Sequence, residues 1–102
     1  MAKLVAIYKT PKDPAKFDAY YYATHVPLAK TIKGLRSYEV STGAIGLPVE
    51  PGNIHLVALL EFDSAAAIGA ALGSPEGQAT ASDVGNFADG GVELMIFDTK
   101  TV

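Results

Sequence analysis

The chain contains no cysteine and no tryptophan. Without thiols there is no disulfide framework, no thiolate nucleophile and no Cys-ligated metal. Histidine is nearly as scarce. His25 and His55 stand alone, with neither His-x-x-x-His nor Glu-x-x-His spacing, so no metal site is expected. No apolar run approaches the roughly 18 uncharged residues of a membrane-spanning helix. The apolar stretch at residues 4–8 is too short for a signal-peptide core, with Lys9 and Lys12 close behind it. A cytoplasmic location away from membranes is the expectation these absences carry. Gly43-Ala44-Ile45-Gly46 lacks the further glycine, lysine and helix of a phosphate loop.

Charged residues are few, at 19% of 102, and unevenly spread. Residues 1–36 carry seven Lys/Arg against two acids, net +5; residues 37–102 carry Lys100 against nine acids, net −8. A nucleic-acid reader carries a basic excess over the whole domain, and none is present here. With 49% apolar residues the composition is that of one ordinary globular domain spanning 1–102.

Lys3 to Thr10 reads as a strand, broken by Thr10-Pro11-Lys12-Asp13-Pro14. Asp13 before Pro14 is a helix start, a side-chain cap followed by a proline at the first helical position. Phe17, Tyr20, Tyr21, Thr24 and Leu28 then trace one helical face. Pro27 is expected to interrupt that helix and push Val26 out of helical geometry, leaving a second piece to Ile32 that stops at Lys33-Gly34. Leu35 to Thr42 is the second strand, residues 43–53 a turn-rich connection, and Ile54 to Phe62 the third strand. Ser64 caps a helix over Ala65 to Leu72; Ser74-Pro75-Glu76 opens another to about Phe87, poor in intrinsic helicity. Val92 to Phe97 is the last strand. The order is βαββαβ, an α+β ferredoxin-like pattern with an antiparallel four-stranded sheet.

A sheet with one face in water reads polar at every second position. Here Ile54, Leu56, Ala58, Leu60 and Phe62 alternate with His55, Val57, Leu59 and Glu61, and Val92, Leu94 and Ile96 with Glu93, Met95 and Phe97. Both faces are largely apolar. The helices can cover only one of them, so a second copy of the sheet is expected on the other, as a homodimer.

Tyr8-Lys9, Pro14, Phe17, Tyr20-Tyr21, His25-Val26-Pro27-Leu28-Ala29 and Gly34-Leu35-Arg36-Ser37-Tyr38, with Phe62-Asp63-Ser64, Ser74-Pro75-Glu76-Gly77, Asp83 and Phe87 further on, span nearly the whole chain. Together they resemble the EthD-like family. The His-x-Pro-Leu-Ala element is the most specific part. The resemblance implies a dimeric α+β barrel. It also implies a role like that of its members, which include tailoring enzymes of aromatic polyketide pathways and an ether-degradation accessory protein. Two positions depart from the pattern: Thr24 precedes His25 where acidic residues are common, and Tyr21 stands where tryptophan is common.

His25 is the leading candidate for chemistry. It lies four residues after Tyr21, at the edge of the core stripe and just before the Pro27 break. An imidazole there can act as general base or acid on a carbonyl compound, or it can simply hold a freed backbone carbonyl. Tyr21 is its expected partner, a phenol to hold an enolate oxygen. Tyr8, Tyr22 and Tyr38 are the expected walls of a substrate site. Tyr20 is expected to pack into the core and His55 to lie at a rim or on the dimer face; Asp83 could orient a histidine or carry a proton, but a surface or capping role is the expectation. The expected activity is cofactor-free proton transfer, such as isomerisation, cyclisation, dehydration or decarboxylation, on a small apolar or aromatic ligand. The alternative is a non-catalytic ligand-binding or oxygenase-accessory protein. Relatives of this fold include haem binders, for which one helical histidine is thin support.

Overall fold

The computed structural model describes residues 1–48 and 52–102. The part of the 43–53 connection formed by Val49, Glu50 and Pro51 lies outside the described residues. The elements run β1 (Ala2–Lys9), α1 (Pro14–Tyr20), a π-helical turn (Tyr21–His25), α2 (Val26–Ala29), β2 (Ser37–Val40), β3 (Ile54–Phe62), α3 (Ala65–Gly73), α4 (Pro75–Asp83) with a 3₁₀ turn (Val84–Asn86), and β4 (Val92–Asp98). The strands pair antiparallel in the order β2-β3-β1-β4. This is the ferredoxin-like βαββαβ fold.

The helix starts follow the sequence. Asp13 Oδ1 accepts from the Lys16 N–H at 3.1 Å, and the Ser64 and Ser74 hydroxyls accept from Ala67 and Gly77 at 3.0 and 3.1 Å. The expected break at Pro27 does not occur. Val26 stays helical (φ −60°, ψ −49°) and its N–H reaches back five residues to the Tyr21 carbonyl. A π turn thus absorbs the proline that an α-helix would have to break for.

That turn also resets the buried face. Phe17, Tyr21, His25 and Ala29 are all buried, whereas Thr24 is exposed and Leu28 only half-buried. A spacing of four drifts by about 40° per step around an α-helix of 3.6 residues per turn. One wider turn takes the drift back, and His25 is rotated from the edge of the stripe into its middle.

On the sheet, Leu4, Ala6 and Tyr8 of β1 and Leu56, Ala58, Leu60 and Phe62 of β3 are buried under the helices. The other face carries Val5 and Ile7, flanked in register by Leu59, Val57 and Met95, and edged by the Lys3–Glu61 (2.9 Å) and Lys9–Glu93 (3.5 Å) ion pairs. Its large side chains lie open: Leu59 is 38%, Met95 45% and Phe97 42% exposed. Burial of the helix-side residues holds the domain together, at about 25 cal/mol per Å² of apolar surface removed from water. The opposite face contributes little of this by itself.

A bulge re-aims one strand residue. Tyr8 pairs with Leu56 and Lys9 with Ile54, so His55 is the extra residue in β3. Its ring meets Phe17 edge-on at 4.9 Å and its Nε2 lies 2.7 Å from Asp18 Oδ1. Expected at a rim or on the open sheet face, His55 lies at the rim of a surface groove, turned toward α1.

Candidate active site

His25 is 4% exposed and Asp83 8%. The imidazole is therefore a buried group, and Asp83, expected at the surface, is its partner: His25 Nδ1 lies 2.9 Å from Asp83 Oδ2. The acid absent from position 24 comes from α4 instead. The other carboxylate oxygen accepts from the Tyr20 hydroxyl at 2.5 Å and from Asn86 Nδ2 at 3.0 Å. Tyr20, half-buried and stacked on Phe87, turns its hydroxyl inward to this acid.

Charge states follow from these contacts. Burial pushes the Asp83 carboxyl up, but the hydrogen bonds from Tyr20, Asn86 and His25 outweigh it and hold it below the ordinary carboxylate range. Burial also pushes His25 down, and the Asp83 hydrogen bond and charge offset this only in part. At neutral pH the pair is a carboxylate beside a neutral imidazole. An ionised carboxylate only accepts, so Nδ1 carries the proton and Nε2 keeps its lone pair.

The His25 ring also lines an apolar cavity of about 70 Å³ between sheet and helices. Its polar wall includes Tyr8 and Tyr38; most of the rest is apolar, with Leu4, Ala58 and Leu60 from the sheet, Ile32 and Val84 from the helical side, and Leu72 and Leu94. The cavity is partly open to the surface and sized for a small guest. Leu94, at its wall, is 58% exposed.

The tyrosines divide. Tyr21 is fully buried, with its ring stacked on His25 (centroids 5.4 Å, 30° between planes) and its hydroxyl 2.6 Å from that of Tyr38. It meets His25 ring to ring and does not line the cavity. Tyr8 and Tyr38 do line it, and burial raises both phenols, so both are protonated donors at neutral pH. Tyr22 is 49% exposed and lies elsewhere, in a surface groove with Asp18, Thr42 and His55. The sequence singles out His25 and ranks Asp83 lower; the structure brings the two together. The available signal was an acid with Phe87 four residues on, in a helix otherwise made of small residues. Among the described residues no group of three or more His, Cys, Asp or Glu side chains could hold a metal ion, and no helix is long and apolar enough to cross a membrane.

The EthD domain family matches residues 9–91. The chain belongs to the EthD family. An uncharacterised 11.0 kDa protein in the thcB-thcC intergenic region of Rhodococcus erythropolis is 39% identical over 102 residues, covering all of this chain and 98% of that one. An ethyl tert-butyl ether D (EthD) family protein from Bacillus halodurans superposes with a TM-score of 0.87 at 34% identity, over 98% of this chain and 99% of that one. The fold, at 16% identity and a TM-score of 0.69, is also that of SnoaB, a cofactor-independent oxygenase from Streptomyces nogalater, over 99% of this chain and 94% of that one. At a coarse level, membership of the EthD family supports a role in small-molecule tailoring.

The site makes stability depend on pH. The unfolded chain binds the His25 proton near the ordinary value of 6.5, and the folded chain only at lower pH. The unfolded state therefore takes up protons first, and stability falls as pH drops below about 6.5. Asp83, held below 3.8, adds a second loss at still lower pH, when its carboxylate is protonated. Calorimetry from pH 7.5 to 5.5 should show a falling Tm in the native protein and a flatter profile in His25→Asn. Equal slopes in the two would remove His25 as the cause.

Proposed function

We propose that this EthD-family protein is a cofactor-free proton-transfer enzyme acting on a small, neutral, apolar carbonyl compound, with His25 Nε2 as the base. One observation carries the reading: a buried histidine, held by a carboxylate at Nδ1, lines an apolar cavity that two protonated phenols also line. The base removes a proton from the carbon beside the carbonyl. The electron pair moves onto the oxygen, where a phenol donates a hydrogen bond to the forming enolate. Tyr8 and Tyr38 are the phenols that line the cavity, and Tyr21 acts through its hydrogen bond to Tyr38. Returning the proton to the same carbon gives exchange; returning it elsewhere gives isomerisation. Among the described residues no Lys or Arg lines the cavity, so a carboxylate or phosphate would lie there without a counter-charge.

The open sheet face supports a second element of the reading, a homodimer formed by that face and the exposed β4. Alternate residues of β4 are apolar on both sides and solvent-exposed: Leu94 and Ile96 on one, Met95 and Phe97 on the other. A second copy would cover this surface and lie close to Leu94 at the cavity wall.

Butan-2-one in D₂O tests the chemistry. The protein should accelerate loss of the α-proton NMR signals above buffer, with saturation as ketone is added. A rate equal to that of buffer, despite demonstrated binding, would leave a ligand-binding or oxygenase-accessory protein as the reading.

A further inference from the structure

His25 is a useful base at Nε2 only while its proton stays on Nδ1, and a free imidazole side chain prefers the opposite tautomer. Which nitrogen carries the proton is set by the hydrogen bond at the other. In this protein the bond is to Asp83 Oδ2, at 2.9 Å. Asp83 is the last residue of α4, where the helix gives way to the 3₁₀ turn. Torsion about the carboxyl end of an aspartate is broad, so one contact does not fix the plane of the group. The remaining contacts come from two elements: the Tyr20 hydroxyl at the end of α1 and the Asn86 amide in the 3₁₀ turn, both donating to Oδ1. Donors alone on Oδ1 also hold Asp83 in the ionised form, which can only accept from Nδ1.

We propose that Tyr20 and Asn86 are positioning residues, which grip the Asp83 oxygen that His25 leaves free and so lock His25 in the Nδ1–H tautomer with Nε2 bare. This rests on the reading of His25 as the base. The other titratable groups around the pair are Tyr21 on the π turn, stacked on the imidazole, and Tyr8 and Tyr38 from β1 and β2, across the cavity. The phenols of Tyr8, Tyr21 and Tyr38 are all raised, and none competes for the His25 proton at neutral pH. Both gripping residues also line a hollow of about 540 Å³ on the outer surface, so they can be changed without opening the cavity itself.

The test is a two-bond proton–nitrogen spectrum of ¹⁵N-labelled protein, taken well above the ordinary histidine titration range. It reads the tautomer of each ring directly. Native His25 should show protonated Nδ1 and bare Nε2. The Tyr20→Phe/Asn86→Ala double variant, which keeps the aromatic ring against Phe87, should show a substantial Nε2–H population. Each single variant should lie between, and these carry the test if the double variant does not fold. His55, whose Nε2 is the nitrogen facing Asp18, is an internal control and should be unchanged in all variants. Purely structural contacts would shift melting and leave the tautomer alone. A double variant as fully Nδ1–H as the native protein would overturn the positioning role while leaving His25 as the base. A native protein already in the Nε2–H form would overturn both.

Discussion

His25→Asn is expected to lower the rate of butan-2-one α-proton exchange by about 10²–10⁴-fold, the usual contribution of a positioned base, while the protein stays folded. Asparagine places an amide N–H close to where Nδ1 stood, so Asp83 keeps its donor, but it offers nothing at the position of Nε2. The choice of residue matters because His25 is buried and bonded to an equally buried acid. His25→Ala would strand that carboxylate and cost about 1–3 kcal/mol for the unmet partner. Loss of activity in the alanine variant would then mix lost chemistry with lost fold. Exchange at the native rate in a folded asparagine variant would place the base elsewhere.

Leu59→Asp is expected to convert a dimer to a monomer. Leu59 sits near the middle of the open sheet face, directly across from Val5, which is itself opposite Met95 on β4. In a dimer closed over this face the new carboxylate would be buried without a partner, at a cost of several kcal/mol per subunit. In a monomer it would simply face water. Light scattering should give twice the chain mass of 10.6 kDa for the native protein and the single-chain mass for the variant. A native protein that stays monomeric at micromolar concentration would remove the dimer and would leave Leu94 at the cavity wall open to solvent.

The fold was legible because its signals are local. Asp13-Pro14, Ser64 and Ser74 each start a helix where cap chemistry requires one, and the alternation in residues 54–62 shows a strand with two apolar faces. The site was only half legible. His25 stood out as an imidazole beside a proline, but a helical wheel at 3.6 residues per turn put it at the edge of the stripe. The π turn that rotates it inward is a response to Pro27 made by the whole helix, and no single residue announces it. Asp83 was harder still. Its role depends on α4 meeting the π turn so that positions 58 residues apart come together, and a lone acid in a weakly helical, small-residue segment is a faint signal of such an anchor. Of the two places expected for His55, the dimer face and a rim, the structure gives the second, at a surface groove. Strict alternation would put it on the open face, and the bulge between Tyr8 and Lys9 breaks that alternation by one residue.

Two His–Asp couples therefore exist in this small domain: His25–Asp83 at the apolar cavity, and His55–Asp18 at the groove that holds Tyr22. The most direct measurement is a titration of the protein with butan-2-one, reading the ring signals of both histidines by NMR. The expected result is a saturable shift of the His25 ring, with contacts from the ketone methyl groups to Leu60 and Leu94, and an unmoved His55. A saturable shift of His55 and Tyr22 with His25 unchanged would contradict the assignment of the cavity as the site.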